Sequence, residues 1–406
     1  MAVAELDATR RDGGRRMTSV DVLIAGAGPA GSALAAALAR AGASVLLVEA
    51  GAHPRSKACA EYASPRIAEE LRRIGLAQDW TKSAVPLVGM DLHAGGKSVP
   101  IRYADAVGSR HAWGVDRRSF DARLAEHAVI SGAVLREQTR VTALSSHRGR
   151  IRGATLRDQR TGHEETIIAR WTIGADGTRS SVSRLLGVDR PVRVPRRLGL
   201  VAHYAGVDSL TDHGEMHVGG GHYVGLAPTP GGELNVGMAL PMRDHGTSAR
   251  DRFDAAIAGI PAVARRLVDS QPLTPIRGAA PIGHRVSHPA GDGWLLIGDA
   301  AGFVDPFTGE GIHRALRSAR AAAGAILAGG EVASAYRAER RRAFAAKTAL
   351  SWLVQGFLAA PPLLEHAVGR LSTRPRAALR LGSALGDCRP ATDALSPRAL
   401  LEVLAP

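Results

Sequence analysis

Short apolar runs that stop abruptly at glycine set the pattern of this chain. Val20-Asp21-Val22-Leu23-Ile24 runs into Gly26-Ala27-Gly28-Pro29-Ala30-Gly31 and then the alanine-rich stretch Ser32 to Arg40, which predicts strand, tight turn and helix in that order. A second strand is expected at Ser44-Val45-Leu46-Leu47-Val48, ended by the acid Glu49. Far downstream, Trp294-Leu295-Leu296-Ile297 reads as a short buried strand. Gly298-Asp299-Ala300-Ala301-Gly302 then leads through Val304 to Gly311 into a helix beginning near Ile312. Between Pro191 and Pro281 the alternation changes, with candidate strands at Leu198 to Tyr204, Glu215 to Val218, His222 to Ala227 and Leu234 to Leu240; with Val85 to Ile101 they predict an antiparallel sheet.

Both glycine-rich turns suit one long dinucleotide. Gly26 permits the turn, Gly28 lets backbone approach a pyrophosphate, and Gly31 allows the helix to pack on the strand, while the helix N-terminus faces the negative charge. Glu49 is placed to accept from an adenosine ribose hydroxyl and would repel a 2′-phosphate. This first element fits NAD and FAD equally. The second favours FAD: Asp299 can bond a ribityl hydroxyl, and the turn before Ile312 can aim N–H groups at the pyrimidine edge of a flavin. A helix N-terminus there would stabilise the charge of a reduced flavin by roughly 0.3–2 kcal/mol.

With the middle motif Gly174-Ala175-Asp176-Gly177-Thr178-Arg179-Ser180-Ser181, the chain from about Asp21 to Leu327 resembles the flavoproteins that include p-hydroxybenzoate hydroxylase, the flavin-dependent halogenases and the geranylgeranyl reductases. The resemblance implies an α/β fold: a Rossmann-type FAD-binding domain (20–84, 102–190, 276–330) interleaved with an antiparallel-sheet substrate domain (85–101, 191–275). A flexible tail (1–19) would precede them and a C-terminal helical region (331–406) follow. It places FAD against Gly26, Gly28, Pro29, Ala30, Gly31 and Glu49, the ribityl chain at Gly298 and Asp299, and the pyrimidine at Pro306, Gly309, Gly311 and Ile312. Asp176 and Gly177 would lie near the pyrophosphate and, in hydroxylases, serve the response to NAD(P)H. Arg117, in Val115-Asp116-Arg117-Arg118, would approach FAD, and Val141 is counted with the cofactor site. Pro54-Arg55-Ser56-Lys57-Ala58-Cys59-Ala60-Glu61-Tyr62 resembles the reductase branch, where a Cys-Gly pair lies beside the flavin ring; here Ala60 replaces the glycine. Arg55 and Lys57 are candidate phosphate ligands.

Two reactions share this frame, both with NAD(P)H as reductant. One is monooxygenation of an aromatic, polyketide or lipid-like substrate through a flavin C4a-hydroperoxide; the other is reduction of a carbon–carbon double bond. A non-catalytic flavin-binding protein is a third reading. Cys59, Gly302 and Gly309-Glu310-Gly311 resemble the reductases, but their aromatic signature Y-x-W-x-F-P has become Tyr223-Val224-Gly225-Leu226-Ala227-Pro228, and the intact Asp176-Gly177 suits a hydroxylase. Monooxygenation is therefore the first expectation. The halogenase signature is missing. Candidate catalytic residues are Cys59, Glu61, Tyr223 and Glu310, with Tyr62 and His222 as further proton carriers; Cys59 reads equally as a small buried hydrophobe.

At 406 residues the chain is too long for a bare binding module. Its net charge of +14 favours acidic partners, such as an anionic membrane surface, an acidic carrier protein or NAD(P)H phosphates. Nucleic acid is disfavoured, because the arginines lack aromatic interleaving or a recognition motif. Cys59 and Cys388 form neither a disulfide framework nor a metal-ligand group, so no metal is expected and a cytoplasmic setting is the default. No apolar signal core follows Arg10, Arg11, Arg15 and Arg16. Thr348 to His366 carries one charge, Glu365, and is interrupted by Pro361-Pro362, so a core helix of the helical region is expected, or a cover that rests on a membrane.

Overall fold

The computed structural model describes residues 11–12, 15–16, 18–76, 79–242 and 246–405, so most of the expected N-terminal tail lies outside the described residues. Strand Thr18–Ala25 is central to an eight-stranded sheet. It pairs in parallel with Val45–Val48 on one side and with Glu164–Gly174 on the other. Val134–Arg136 extends the parallel part beyond Val45–Val48, and Trp294–Leu296 pairs in parallel with the last residues of Glu164–Gly174. Valine, leucine and isoleucine buried on both faces explain these runs, since helices cover the sheet. Thr139–His147 and Arg150–Asp158 continue it as an antiparallel meander, and the short Ala290–Gly291, antiparallel to Trp294–Leu296, completes it.

Parallel pairing has one consequence for the site. Gly174 is level with Ala25 and with Leu296, so the turns after all three strands leave from the same carboxyl end. The fingerprint helix Pro29–Arg40 starts there with proline in its first turn, and helix Gly311–Ala328 packs along it.

A nine-stranded sheet lies beside this frame. Arg197–Ala205, Glu233–Pro241, His222–Thr229 and Gly214–Gly219 pair antiparallel in that spatial order. The other edge of Gly214–Gly219 joins Gly89–Ala94 in parallel, and Gly89–Ala94 forms a hairpin with Lys97–Ala104. The sheet contribution from this early segment thus starts at Gly89 and continues past Ile101. Residues Ala84–Leu87 belong instead to a small sheet with Ala112–Val115, because the φ of +155° at Gly89 and its approach to the Ile101 carbonyl bend the chain there.

Helices Ala249–Ala258 and Pro261–Leu267 cover one face of the large sheet, around Phe253 and Val263. Pro361–Ser372 and Pro375–Leu385 cover strands Gly89–Ala94 and Lys97–Ala104 from the other face. The long helix Val332–Ala359 links this region to the frame. No single helix among the described residues is long and apolar enough to cross a membrane; Val332–Ala359 and Pro361–Ser372 together pass by length and composition but meet at 112°.

A Cβ at Gly31 would stand 1.9 Å from the Gly26 carbonyl oxygen, whereas one at the helical Gly324 meets nothing within 4 Å. Gly31→Ala is expected to destabilise the protein by about 1–3 kcal/mol, as overpacking does, and Gly324→Ala to stabilise it by about 0.5–1 kcal/mol. Urea unfolding midpoints check both.

Candidate functional site

The site lies where the three turns crowd together. A Cβ at Gly26 would meet the Ala175 carbonyl oxygen at 2.5 Å, and one at Gly298 would meet the Ala30 methyl at 2.9 Å, so first, middle and last motifs touch. Gly28 caps the fingerprint helix without a side-chain hydrogen bond, leaving its N-terminal N–H groups for a ligand. Beyond Gly28 stands the Arg55 guanidinium, 3.7 Å from the Cβ position. Lys57 Nζ lies 3.8 Å from the corresponding point at Gly177. The turn is therefore a positive, side-chain-free cradle of the kind a diphosphate needs.

The acids divide into held and open groups. Glu49 accepts from the N–H of Ala27 at 2.9 Å and of Gly51 at 3.0 Å, which ties the second strand to the glycine turn. Asp176 Oδ2 accepts from Ser181 N and Oγ, both at 2.7 Å, while its Oδ1 is buried without a partner. Asp299 follows Gly298, whose φ is +58° and whose N–H donates to Ser318 Oγ at 2.8 Å. In the pyrimidine turn, Thr308 Oγ1 is also buried and unpartnered. The open Asp176 Oδ1 and Thr308 Oγ1 beside a basic glycine cradle fit FAD: the Pro29 helix end would hold the diphosphate, with the already hydrogen-bonded Glu49 on the adenosine side, Asp299 the ribityl chain, and Thr308 to Ile312 the ring. Val141 lies in the core beneath this end of the sheet.

Segment Cys59 to Tyr62 passes between the frame and the large sheet. Gly237 makes room for it, since a Cβ there would stand 2.9 Å from the Ala60 methyl. Arg117, bound bidentately to Asp121 at 2.9 Å, donates through Nη1 to Cys59 Sγ at 3.3 Å. Glu61 adopts a φ of +57° and is 4% exposed. Its Oε1 accepts from the Arg117 N–H at 3.1 Å, and its Oε2 lies 2.7 Å from His203 Nε2. Asn235, wholly buried, donates from Nδ2 to the Cys59 carbonyl at 3.0 Å and stands 3.1 Å from the same imidazole nitrogen. The Glu61 hydrogen bond raises the His203 pKa above its ordinary 6.5, outweighing burial.

Tyr223 and Glu310 sit in other networks. The Tyr223 hydroxyl donates to Asp305 Oδ1 at 2.6 Å, and Asp305 Oδ2 pairs with Arg197 at 2.5 Å, clamping the pyrimidine turn to the large sheet. Burial, and then the Asp305 carboxylate, push the Tyr223 pKa well above the ordinary phenol value, so its hydroxyl stays protonated in this contact. Glu310 turns toward the helical region, where Ser351 Oγ donates to it at 3.3 Å and Lys347 Nζ lies 3.5 Å away. Tyr62 shares a hydrogen bond with Tyr103 at 2.8 Å, and His222 stands at a hairpin end beside Gly220. His203 and Asn235 escape a reading of motifs. Their only sequence signal is a polar residue inside an apolar strand, and the strand register alone makes them neighbours.

Residues 19–349 match the family model described as FAD binding domain, and the chain belongs to that family of FAD-dependent oxidoreductases. It is 32% identical over 329 residues to menaquinone reductase of Mycolicibacterium smegmatis, covering 77% of this chain and 78% of that protein. It is 30% identical over 310 residues to digeranylgeranylglycerophospholipid reductase of Methanosarcina mazei, covering 74% of each. A flavoprotein/dehydrogenase structure from Cytophaga hutchinsonii superposes with a TM-score of 0.81 at 24% identity, covering 91% of this chain and 92% of that one, and shares the fold.

At Gly28 an added Cβ meets only Arg55, so Gly28→Val is expected to fold normally yet emerge colourless, and Asp299→Ala to retain FAD weakly; visible spectra after gel filtration check both. Because the His203 pKa is raised on folding, its stabilising contribution is complete below 6.5 and is lost as pH rises through the raised value. The thermal stability gap between wild type and His203→Gln should therefore narrow across that window.

Proposed function

We propose that the protein is a flavin-dependent reductase that saturates a carbon–carbon double bond in an isoprenoid lipid, with NAD(P)H as the reductant of the cofactor. The observation that carries this reading is the Glu61–His203 pair, a carboxylate and an imidazole 2.7 Å apart where the cofactor segment meets the large sheet. Bound FAD supplies the electron pair in such a reduction. The chain must then supply a proton to carbon, and His203, hydrogen-bonded to Glu61, is the group suited to hold it near neutral pH. Arg117 keeps Glu61 and Cys59 in place through its N–H and guanidinium. The relatives at 30% identity or above include menaquinone and digeranylgeranylglycerophospholipid reductases, and the molecules in those names carry isoprenoid chains. A lipid substrate also suits the bend between Val332–Ala359 and Pro361–Ser372, where Trp352 and Leu363 are exposed in an uncharged stretch facing solvent.

Hydroxylation, the first expectation from the middle motif, uses the same frame and is the competing outcome. The two separate cleanly in an anaerobic turnover with NAD(P)H and a polyprenyl quinone. Reduction of the double bond predicts flavin reoxidation without oxygen and a product that stays two hydrogens heavier in its side chain after the ring is reoxidised to the quinone; a product that returns to the starting mass on ring reoxidation, or one formed only under air and heavier by one oxygen, would overturn it. His203→Gln should lower kcat by about 100-fold, the lower end of what a general acid contributes, with little change in KM.

A further inference from the structure

On the face of the large sheet turned away from the cofactor turns, two histidines and a glutamate meet. His93 and His217 are register partners on the parallel pair Gly89–Ala94 and Gly214–Gly219. Their rings stack with centroids 4.4 Å apart and planes 8° from parallel. Glu215 is two residues before His217 on the same strand face, with Oε2 3.0 Å from His217 Nε2. That face is set by alternation. Glu215 and His217 oppose Leu226 and Val224, whose side chains join the Phe253 core, whereas Met216 and Tyr223 point to the opposite face, from which Tyr223 reaches Asp305.

We propose that His93, His217 and Glu215 form a binding site for a divalent transition-metal ion of the zinc type. The three ligand atoms lie within 4.8 Å of one another, and two of the three residues are buried. Two imidazole nitrogens and one carboxylate oxygen with a water make the open four-coordinate set such ions take, while magnesium and calcium prefer oxygen alone. Stacked rings send their in-plane lone pairs along parallel lines. Convergence needs one ring to turn, and the half-buried His93 is the one with room.

The charges around the cluster define its readiness. Arg266 holds Glu215 Oε1, leaving Oε2 for the metal, at the cost of placing a cation nearby. Asp91, next but one to His93, pairs with Arg102 at 2.7 Å and with His213 at 3.4 Å. An ion here would staple the early hairpin to the rest of the sheet at their parallel junction.

The test uses the full-length protein, titrated with Co(II) for its visible ligand-field bands and with Zn(II) by calorimetry. We expect single-site binding that raises the thermal midpoint, and a loss of affinity of at least about 100-fold in His93→Ala and in His217→Ala, beyond what an outer-shell partner costs. Arg266→Gln, which removes the neighbouring cation and keeps all three ligands, should tighten binding. Absence of ligand-field bands in the wild type, or binding by the folded histidine variants as tight as that of the wild type, would overturn the site; circular dichroism of each variant shows whether it has folded.

Discussion

The parallel pairing of Thr18–Ala25, Glu164–Gly174 and Trp294–Leu296 is the constraint on which the rest depends. Strands that share direction and level must release their turns at one end, and this end is where an open α/β sheet binds its ligand. The turns then approach so closely that side chains would collide. Gly26 against Ala175 and Gly298 against Ala30 leave no room for a Cβ, so glycine there is a packing requirement. Regions separated by most of the chain length thereby act as one surface, with helix N-termini and open carboxylates arrayed along it.

The large sheet is fastened to this surface by buried polar contacts. Glu61, His203, Asn235 and Cys59 form one fastening and Tyr223, Asp305, Arg197 and Gln355 another. A third joins the helical region: Lys347 Nζ lies 2.9 Å from Asp387, which His313 meets at 3.0 Å, and Glu310 completes the group. Burial alone would raise the Asp387 pKa, but Lys347 and His313 hold it below the usual carboxylate range. Buried ion pairs contribute little net stability because desolvation offsets attraction, yet breaking one leaves a costly lone charge. Their effect is to admit one relative placement of sheet, turn and helix. That placement brings the Glu61–His203 pair to where the Cys59 to Tyr62 segment meets the large sheet and leaves an uncharged bend facing outward.

The family reading from the sequence and the matched family model agree because both draw on the same local signals. Glycine spacing, a terminal acid and the switch from helical to alternating periodicity are properties of a few consecutive residues. Strands at Arg197–Ala205 and Glu233–Pro241 were legible for that reason, within a residue or two at their ends. The hairpin starting at Gly89 was less legible, since its boundary follows from pairing with Arg102 and a close approach to Ile101 on the neighbouring strand.

By itself the sequence determined the two strand–turn–helix units, the strands between Pro191 and Pro281 and membership of an FAD-binding family, because each needs only backbone conformation and nearest neighbours. Only tertiary structure decided what the buried side chains face. Glu310 turned to Lys347, Tyr223 to Asp305, Glu61 to His203 and His93 to His217, through strand register and helix packing between distant segments. A side chain's partner across a sheet depends on which strands pair and in what phase, and no local pattern carries that information.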